Sequence, residues 1–152
     1  MLKGMVIRML YNLSKSNVKM FLTAGNATIT IENAKNGNRY TYKVQMSEDK
    51  KTWFVKVLFG SDNDNDYKYI GYFRSDLVMK TSGRSHVTIE DKRYLAIDFL
   101  LKCIKANHIP DALNLYHSCK CGRCGRTLTT PESIMNGIGP ECIKVALAAT
   151  YA

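Results

Sequence analysis

The sequence has no long apolar run, and its first 102 residues contain no cysteine. A membrane-spanning helix needs about 18 or more consecutive apolar residues, so no membrane span is predicted. A disulfide-stabilised secreted scaffold would spread an even number of cysteines through the chain. Here there are five, all at position 103 or later. The N-terminus interleaves charges with short apolar stretches, which is a poor signal peptide. We therefore expect a protein of a reducing cytoplasm.

Acidic residues are scarce. The chain has 13 Asp and Glu against 22 Lys and Arg, which gives a formal net charge of +9. The imbalance lies in residues 1–59, which carry ten basic against three acidic residues. Such an excess favours nucleic acid or an acidic protein surface as partner, although a basic surface can also serve solubility alone. The candidate partner-binding residues are Arg39, Lys43, Lys50, Lys51 and Lys56.

The sequence also lacks a recognisable catalytic grouping. His86 and His108 are isolated, and no nucleophile stands beside a base at a familiar spacing. Ser133 follows Glu132, but the start of a helix explains both residues. We expect a binding protein rather than an enzyme, with no small-molecule substrate.

Hydrophobic periodicity predicts an α+β fold. Alternation over residues 27–31, 39–46 and 51–59, followed by another strand over residues 67–73 and separated by polar turns, predicts an antiparallel meander of about four strands. Residues 5–24, ending at Gly25-Asn26, predict a helix. Residues 90–106 show helical spacing, with Thr88 as a candidate N-cap, and we expect this helix to cover one face of the sheet. Its apolar stripe comprises Tyr94, Ile97, Leu100, Leu101 and Ile104.

The aromatic residues of the predicted strands can have either of two roles. They can form the buried face of the sheet, or they can stack on nucleic-acid bases. Alternation favours burial for most of them. The stacking candidates are Tyr40, Tyr42, Trp53, Tyr67 and Tyr69.

Cysteines cluster near the C-terminus at a spacing typical of zinc. Cys121 and Cys124 are separated by two residues and followed by Gly125, which suits the tight turn of a zinc knuckle. Cys142 follows Gly139-Pro140, where we expect a helix over residues 140–150 whose positive end favours a thiolate. The intervening Thr130–Ser133 stretch predicts a capped turn of helix, which ends at Gly137. Cys103 lies within the earlier helical stretch and is interpreted as a core residue.

The fourth zinc ligand has two candidates. His117 lies four residues before Cys121 and has the longer reach from the end of a strand at residues 112–116. Cys119 lies two residues before Cys121 and would need a sharp reversal to join the same ion, so His117 is preferred. A closed site of four protein ligands predicts one structural Zn²⁺ per chain. The chain is thus divided into a basic α+β domain (1–111) and a zinc-binding module (112–152).

The stretch CGRCGRTLTTPESIMNGIGPEC resembles the CxxCGRxLTxPESIxxGIGPEC signature of small zinc-bearing proteins common in phages and phage-derived genes. The upstream WFVKVLFGSDNDNDYKYIGYF resembles the strand block of those proteins. The resemblance implies a zinc-knuckle or treble-clef-like module with His117, Cys121, Cys124 and Cys142 as ligands. Cys119 departs from the signature, where glycine is usual, and its role stays open.

The chain also resembles a zinc-containing anti-CRISPR protein that acts on a type II, Cas9-class effector. This resemblance implies a phage-encoded inhibitor in the cytoplasm of a bacterial host, which binds the effector and blocks loading of target DNA. A protein of this charge cannot imitate DNA and would seek an acidic surface. The alternative is a zinc-stabilised nucleic-acid-binding protein of phage origin.

Overall fold

A computed structural model describes residues 11–60 and 66–151 and shows an α+β fold. Six strands form one antiparallel sheet in the order β1-β6-β2-β3-β4-β5. The strands are β1 (Tyr11–Asn12), β2 (Asn26–Asn33), β3 (Arg39–Met46), β4 (Trp53–Leu58), β5 (Tyr67–Phe73) and β6 (Leu113–His117). The α-helices are α1 (Val18–Leu22), α2 (Lys92–Lys105), α3 (Pro131–Asn136) and α4 (Pro140–Tyr151).

The β2–β5 meander follows the predicted alternation. Tyr42 and Val44 of β3 lie opposite Val57 and Val55 of β4, and all four side chains are fully buried. The residues between them point to the other side of the sheet, as the two-residue period of a strand requires. The meander therefore has an inner face that builds the core and an outer face that carries Lys43 and Lys56.

Strand β5 contains a register shift opposite Val55 and Lys56. These consecutive residues pair with Gly71 and Tyr69, so Ile70 is an extra residue between them. Such a bulge changes which side of the sheet the following side chains occupy. Strict alternation would place Tyr69 and Phe73 on the same face, but Phe73 is fully buried and Tyr69 is only partly buried.

The helix predicted over residues 5–24 is shorter in the structure. Tyr11–Asn12 form strand β1, a turn of 3₁₀-helix spans Lys15–Asn17, and α1 covers only Val18–Leu22. Residues 5–10 lie outside the described part of the chain. Backbone pairing of β1 with β6 takes precedence over local helical preference, because a strand beside an existing strand gains its ladder hydrogen bonds at once.

The N-cap of helix α2 is Asp91 rather than the predicted Thr88. The Asp91 carboxylate accepts a hydrogen bond from the Arg93 backbone amide at 2.9 Å, which satisfies one of the free N–H groups at a helix start. The Tyr42 hydroxyl of β3 donates to the Arg93 carbonyl at 2.6 Å. Most of the predicted stripe is buried within the same hydrophobic cluster as the sheet, namely Tyr94, Ile97, Leu100 and Leu101.

The C-terminal segment shares the sheet and the core of the rest of the chain. Strand β6 lies between β1 and β2, directly after the predicted boundary at residues 111/112. Leu128, Ile138, Cys121 and Cys142 belong to the hydrophobic cluster that also contains the sheet residues. No helix in the described ranges is long and apolar enough to cross a membrane.

Candidate metal centre

A tight loop after β6 places the first two cysteines of the centre. The Gly125 amide donates to the Cys121 carbonyl at 2.9 Å, which closes the turn around Cys124. Gly125 has a φ of +79°, as the sequence predicted for this position. The loop therefore holds both thiols on one side of a short, strongly bent backbone.

Two short helices place the third cysteine. The Thr130 hydroxyl caps α3 by accepting from the Ser133 amide, and Gly137 ends the helix with a φ of +72°, both as predicted. The chain then enters α4 at Pro140, so Cys142 lies in the first turn of that helix. The Gly122 amide donates to the Gly137 carbonyl at 2.8 Å and fixes the cysteine loop against the junction between the helices.

The structure brings three predicted ligands together. The Sγ atoms of Cys121, Cys124 and Cys142 all lie within 4.8 Å of one another. Cys121 and Cys142 are buried, whereas Cys124 is exposed. Sulfur atoms at this separation can bind one metal ion, and thiolate ligands favour zinc and other thiophilic metals.

Hydrogen bonds to sulfur support this interpretation. The backbone amides of Gly139 and Arg123 each donate to Cys121 Sγ at 3.4 Å. Burial acts to raise the pKa of Cys121, but these donors together with Cys124 outweigh it and lower the pKa to about 7. Burial raises the pKa of Cys142, partly offset by a hydrogen bond from the Arg123 guanidinium at 3.4 Å. The donors would stabilise thiolate ligands, so the residues present fit a metal ion.

Arg123 donates a hydrogen bond to Cys142 Sγ in the candidate metal centre, and the sequence argument did not identify it. A metal dication with three thiolates carries a net negative charge, and the guanidinium lies beside one of those sulfurs. An arginine within a CxxC loop is the only sequence feature that could have indicated it.

His117, the predicted fourth ligand, engages both ring nitrogens elsewhere. Its Nδ1 accepts from the Cys119 backbone amide at 3.0 Å, and Nε2 donates to the Ile134 carbonyl at 2.6 Å. The ring is 1% exposed and contacts Tyr11 and Phe21, each with centroids 5.9 Å away. Burial lowers the pKa of His117 despite the bond to Ile134, so the neutral ring is favoured. The structure thus places His117 outside the group of three sulfurs.

The other two cysteines also lie outside that group. The Cys119 thiol donates to the Leu128 carbonyl at 3.3 Å, and its backbone adopts a φ of +64°. That left-handed conformation is one that glycine adopts at the lowest cost. Cys103 is buried in α2, and burial raises the pKa of its thiol.

The predicted partner-binding residues occupy different environments. Arg39 forms an ion pair with Glu32 at 2.6 Å, so its charge is compensated. Lys50 and Lys51 are exposed in the turn between β3 and β4. Lys43 and Lys56 lie directly opposite each other on adjacent strands.

The five aromatic stacking candidates are divided between the inner and outer faces of the sheet. Tyr42 is fully buried, and Tyr40 and Trp53 pack against the core, so these three are unsuited to stacking on a ligand. Tyr67 and Tyr69 lie on the outer face, where Lys43 Nζ is 4.3 Å from the centroid of the Tyr67 ring. Phe54 and Tyr72, which the sequence argument did not consider, share that face.

The chain is an α+β protein whose C-terminal segment carries three cysteines placed closely enough to hold a metal ion. Residues 115–146, which contain all three cysteines, match the model of the DUF6011 family, described as a family of unknown function. No curated protein and no solved structure matches the chain.

Proposed function

We propose that this is a zinc-stabilised nucleic-acid-binding protein that uses the outer face of the β2–β5 meander. The observation that carries the proposal is the directly opposed pair Lys43 and Lys56. Like charges directly opposite each other destabilise a sheet. In the described part of the chain, no Asp or Glu forms an ion pair with either lysine, whereas Arg39, Lys80, Arg93 and Lys102 all have one. A polyanionic ligand would offset this repulsion.

The metal centre lies next to the start of β2, where the Asn26 amide donates to the Gly122 carbonyl at 2.6 Å. We propose Zn²⁺ as the ion, because thiolate ligands at this spacing suit it and a cytoplasmic cysteine cluster is favoured for metal. The fourth position would be completed by a ligand outside the three cysteines, and the segment would be treble-clef-like. Bound zinc would supply folding free energy rather than chemistry, since the short helices α3 and α4 offer little core of their own. Helix α2 would cover the inner face of the sheet.

Binding should be tested with a charge-reversal variant and a matched control. Changing Lys43, Lys50, Lys51 and Lys56 to Glu should abolish nucleic-acid binding measured by fluorescence anisotropy. The control reverses Lys92, Lys102, Lys105 and Lys144 on α2 and α4, which alters net charge equally but leaves the outer face intact. Wild-type affinity should also fall steeply with salt because counterions are released from the nucleic acid. Equal loss in both variants would show that only net charge matters and would contradict the proposed face.

Inhibition of a Cas9-class effector is a second candidate, favoured by the sequence resemblance and by the same opposed pair of lysines on the outer face. The face would dock on an acidic effector surface or obstruct the entry of target DNA. Titrating the protein into a cleavage assay should then show inhibition that saturates near one inhibitor per effector. Turnover at trace inhibitor, or an absence of inhibition across a panel of such nucleases, would refute this candidate.

A further inference from the structure

We infer that a groove on the outer face, between β3–β5 and the segment 80–87, binds single-stranded nucleic acid by stacking unpaired bases. The inference rests on the proposed nucleic-acid function and names its ligand class. The groove has a volume of about 760 Å³. It combines three aromatic residues (Phe54, Tyr69, Tyr72) with three cationic residues (Lys56, Arg74, Arg84).

The bulge in β5 assembles the aromatic floor. Tyr72 pairs with Phe54 and Tyr69 pairs with Lys56, so both tyrosines lie on the outer face although they are three residues apart. Regular alternation would place residues three apart on opposite faces. The Phe54 and Tyr69 rings lie 6.3 Å apart at an angle of 58°, and Phe54 is 39% exposed. Bulges often re-aim side chains next to functional sites.

A backbone segment fixed along β5 forms one wall. Tyr72 and Lys80 exchange two backbone hydrogen bonds at 2.9 and 2.8 Å, and the His86 amide donates to the Tyr69 carbonyl at 2.9 Å. The Ser82 hydroxyl lies 3.4 Å from the Tyr69 hydroxyl. This wall brings the exposed Arg84 into the lining of the groove.

Gly71 allows the wall to approach. A Cβ at this position would collide with the Lys80 carbonyl oxygen and the Met79 side chain. The absence of a side chain is therefore required for the pairing of Tyr72 with Lys80.

Charge and ring placement select the ligand. None of the ten described residues that line the groove is acidic. The Arg74 guanidinium lies 5.6 Å from the Tyr72 ring centroid, so a cation lies beside the aromatic residues of the groove. Aromatic rings on a sheet can stack only on bases whose faces are accessible, and pairing in a duplex hides those faces. Three rings suit about two to three unpaired bases, the number that sheet-based RNA-binding domains stack.

The test compares single strands with duplexes and aromatic with non-aromatic variants. Probes are fluorescent ten-nucleotide oligothymidine, oligouridine and a ten-base-pair duplex, at fixed salt. We expect either single strand to bind at least about tenfold more tightly than the duplex. Phe54→Ala and Tyr69→Ala should each weaken single-strand binding by on the order of tenfold. The matched control is Leu95→Ala with Phe99→Ala, which removes side chains 47% and 48% exposed on α2 and should leave binding unchanged.

The outcomes separate this inference from the proposed function. Equal affinity for duplex and single strand, with no effect of Phe54→Ala or Tyr69→Ala, would overturn the stacking groove while nucleic-acid binding stands. Failure of every probe to bind would overturn both. Thermal unfolding of each variant shows whether it is folded, and Arg84→Ala provides a second route, because it removes a cation without touching the aromatic floor. Loss of affinity in Arg84→Ala with a reduced salt dependence is expected, and no change in either would count against the groove.

Discussion

Replacing His117 with Phe would show whether His117 is a metal ligand or a core residue. The substitution keeps an aromatic ring between Tyr11 and Phe21 but removes both nitrogens. It leaves two partly buried backbone groups without their present partners, the Cys119 amide and the Ile134 carbonyl. An unsatisfied polar group costs about 1–3 kcal/mol when it is fully buried, so the loss of both partners should lower the free energy of unfolding by about 2 kcal/mol. A small domain has about 5–15 kcal/mol in total, so the loss is readily measured by urea denaturation.

The decisive measurement is the metal content of the folded variant rather than its stability. If the ring is bound by hydrogen bonds as the structure shows, metal content per folded chain should be unchanged, and affinity in competition with a coloured chelator should change less than about tenfold. A drop of a hundredfold or more would refute this reasoning and support the sequence-based prediction that His117 is a ligand. His117→Gln retains an amide and gives the same readout with a smaller loss of stability. Cys142→Ser is the positive control for metal loss.

Three further predictions concern residues of the C-terminal segment. Cys142→Ser should lose the metal and strongly destabilise the C-terminal segment, whereas Cys119→Ser should keep the metal, as measured by metal analysis and circular dichroism. Gly137→Ala should cost about 3 kcal/mol in urea denaturation, because a Cβ would lie 2.5 Å from a Phe21 ring carbon at a φ of +72°. Gly37→Ala, with a φ of +74° and no atom within 4 Å, should cost only about 1 kcal/mol, and equal losses would contradict the packing argument. The lowered pKa of His117 means that the unfolded chain takes up the proton first, so stability should be fully present above pH 6.5 and decline below it. That part of the pH dependence should be missing in His117→Phe, and its persistence there would assign it to other groups.

Local patterns in the sequence predicted the meander and the short helices well. The strands predicted over residues 39–46 and 67–73 have the bounds of β3 and β5. The Thr130 cap and the Gly137 stop were also confirmed. In each case the stabilising contacts join residues close together in the sequence. The residue types and their period are therefore enough to predict the element.

Features that depend on distant contacts were not predictable in this way. Strand β1 has only two residues, too few to show a period, and exists because β6 pairs with it. The bulge at Ile70 breaks the alternation, and the neighbouring Gly71 by itself does not show which residue of the strand is the extra one. The hydrogen bonds of His117 join it to the Ile134 carbonyl, 17 residues away. A sequence shows that a histidine is near cysteines, but it does not show which backbone groups will saturate its ring.

The position of β6 has a consequence for the order in which the chain folds. Ile31 pairs with Leu115, whereas the β2–β5 hairpins join neighbours in sequence. Closing so long a loop is entropically costly and slow relative to hairpin formation. During synthesis, the β6-facing edge of β2 would remain open until residue 117 has left the ribosome, exposing its backbone amides and carbonyls to other chains. The nascent protein should therefore be most prone to aggregation after the hairpins form and before β6 emerges.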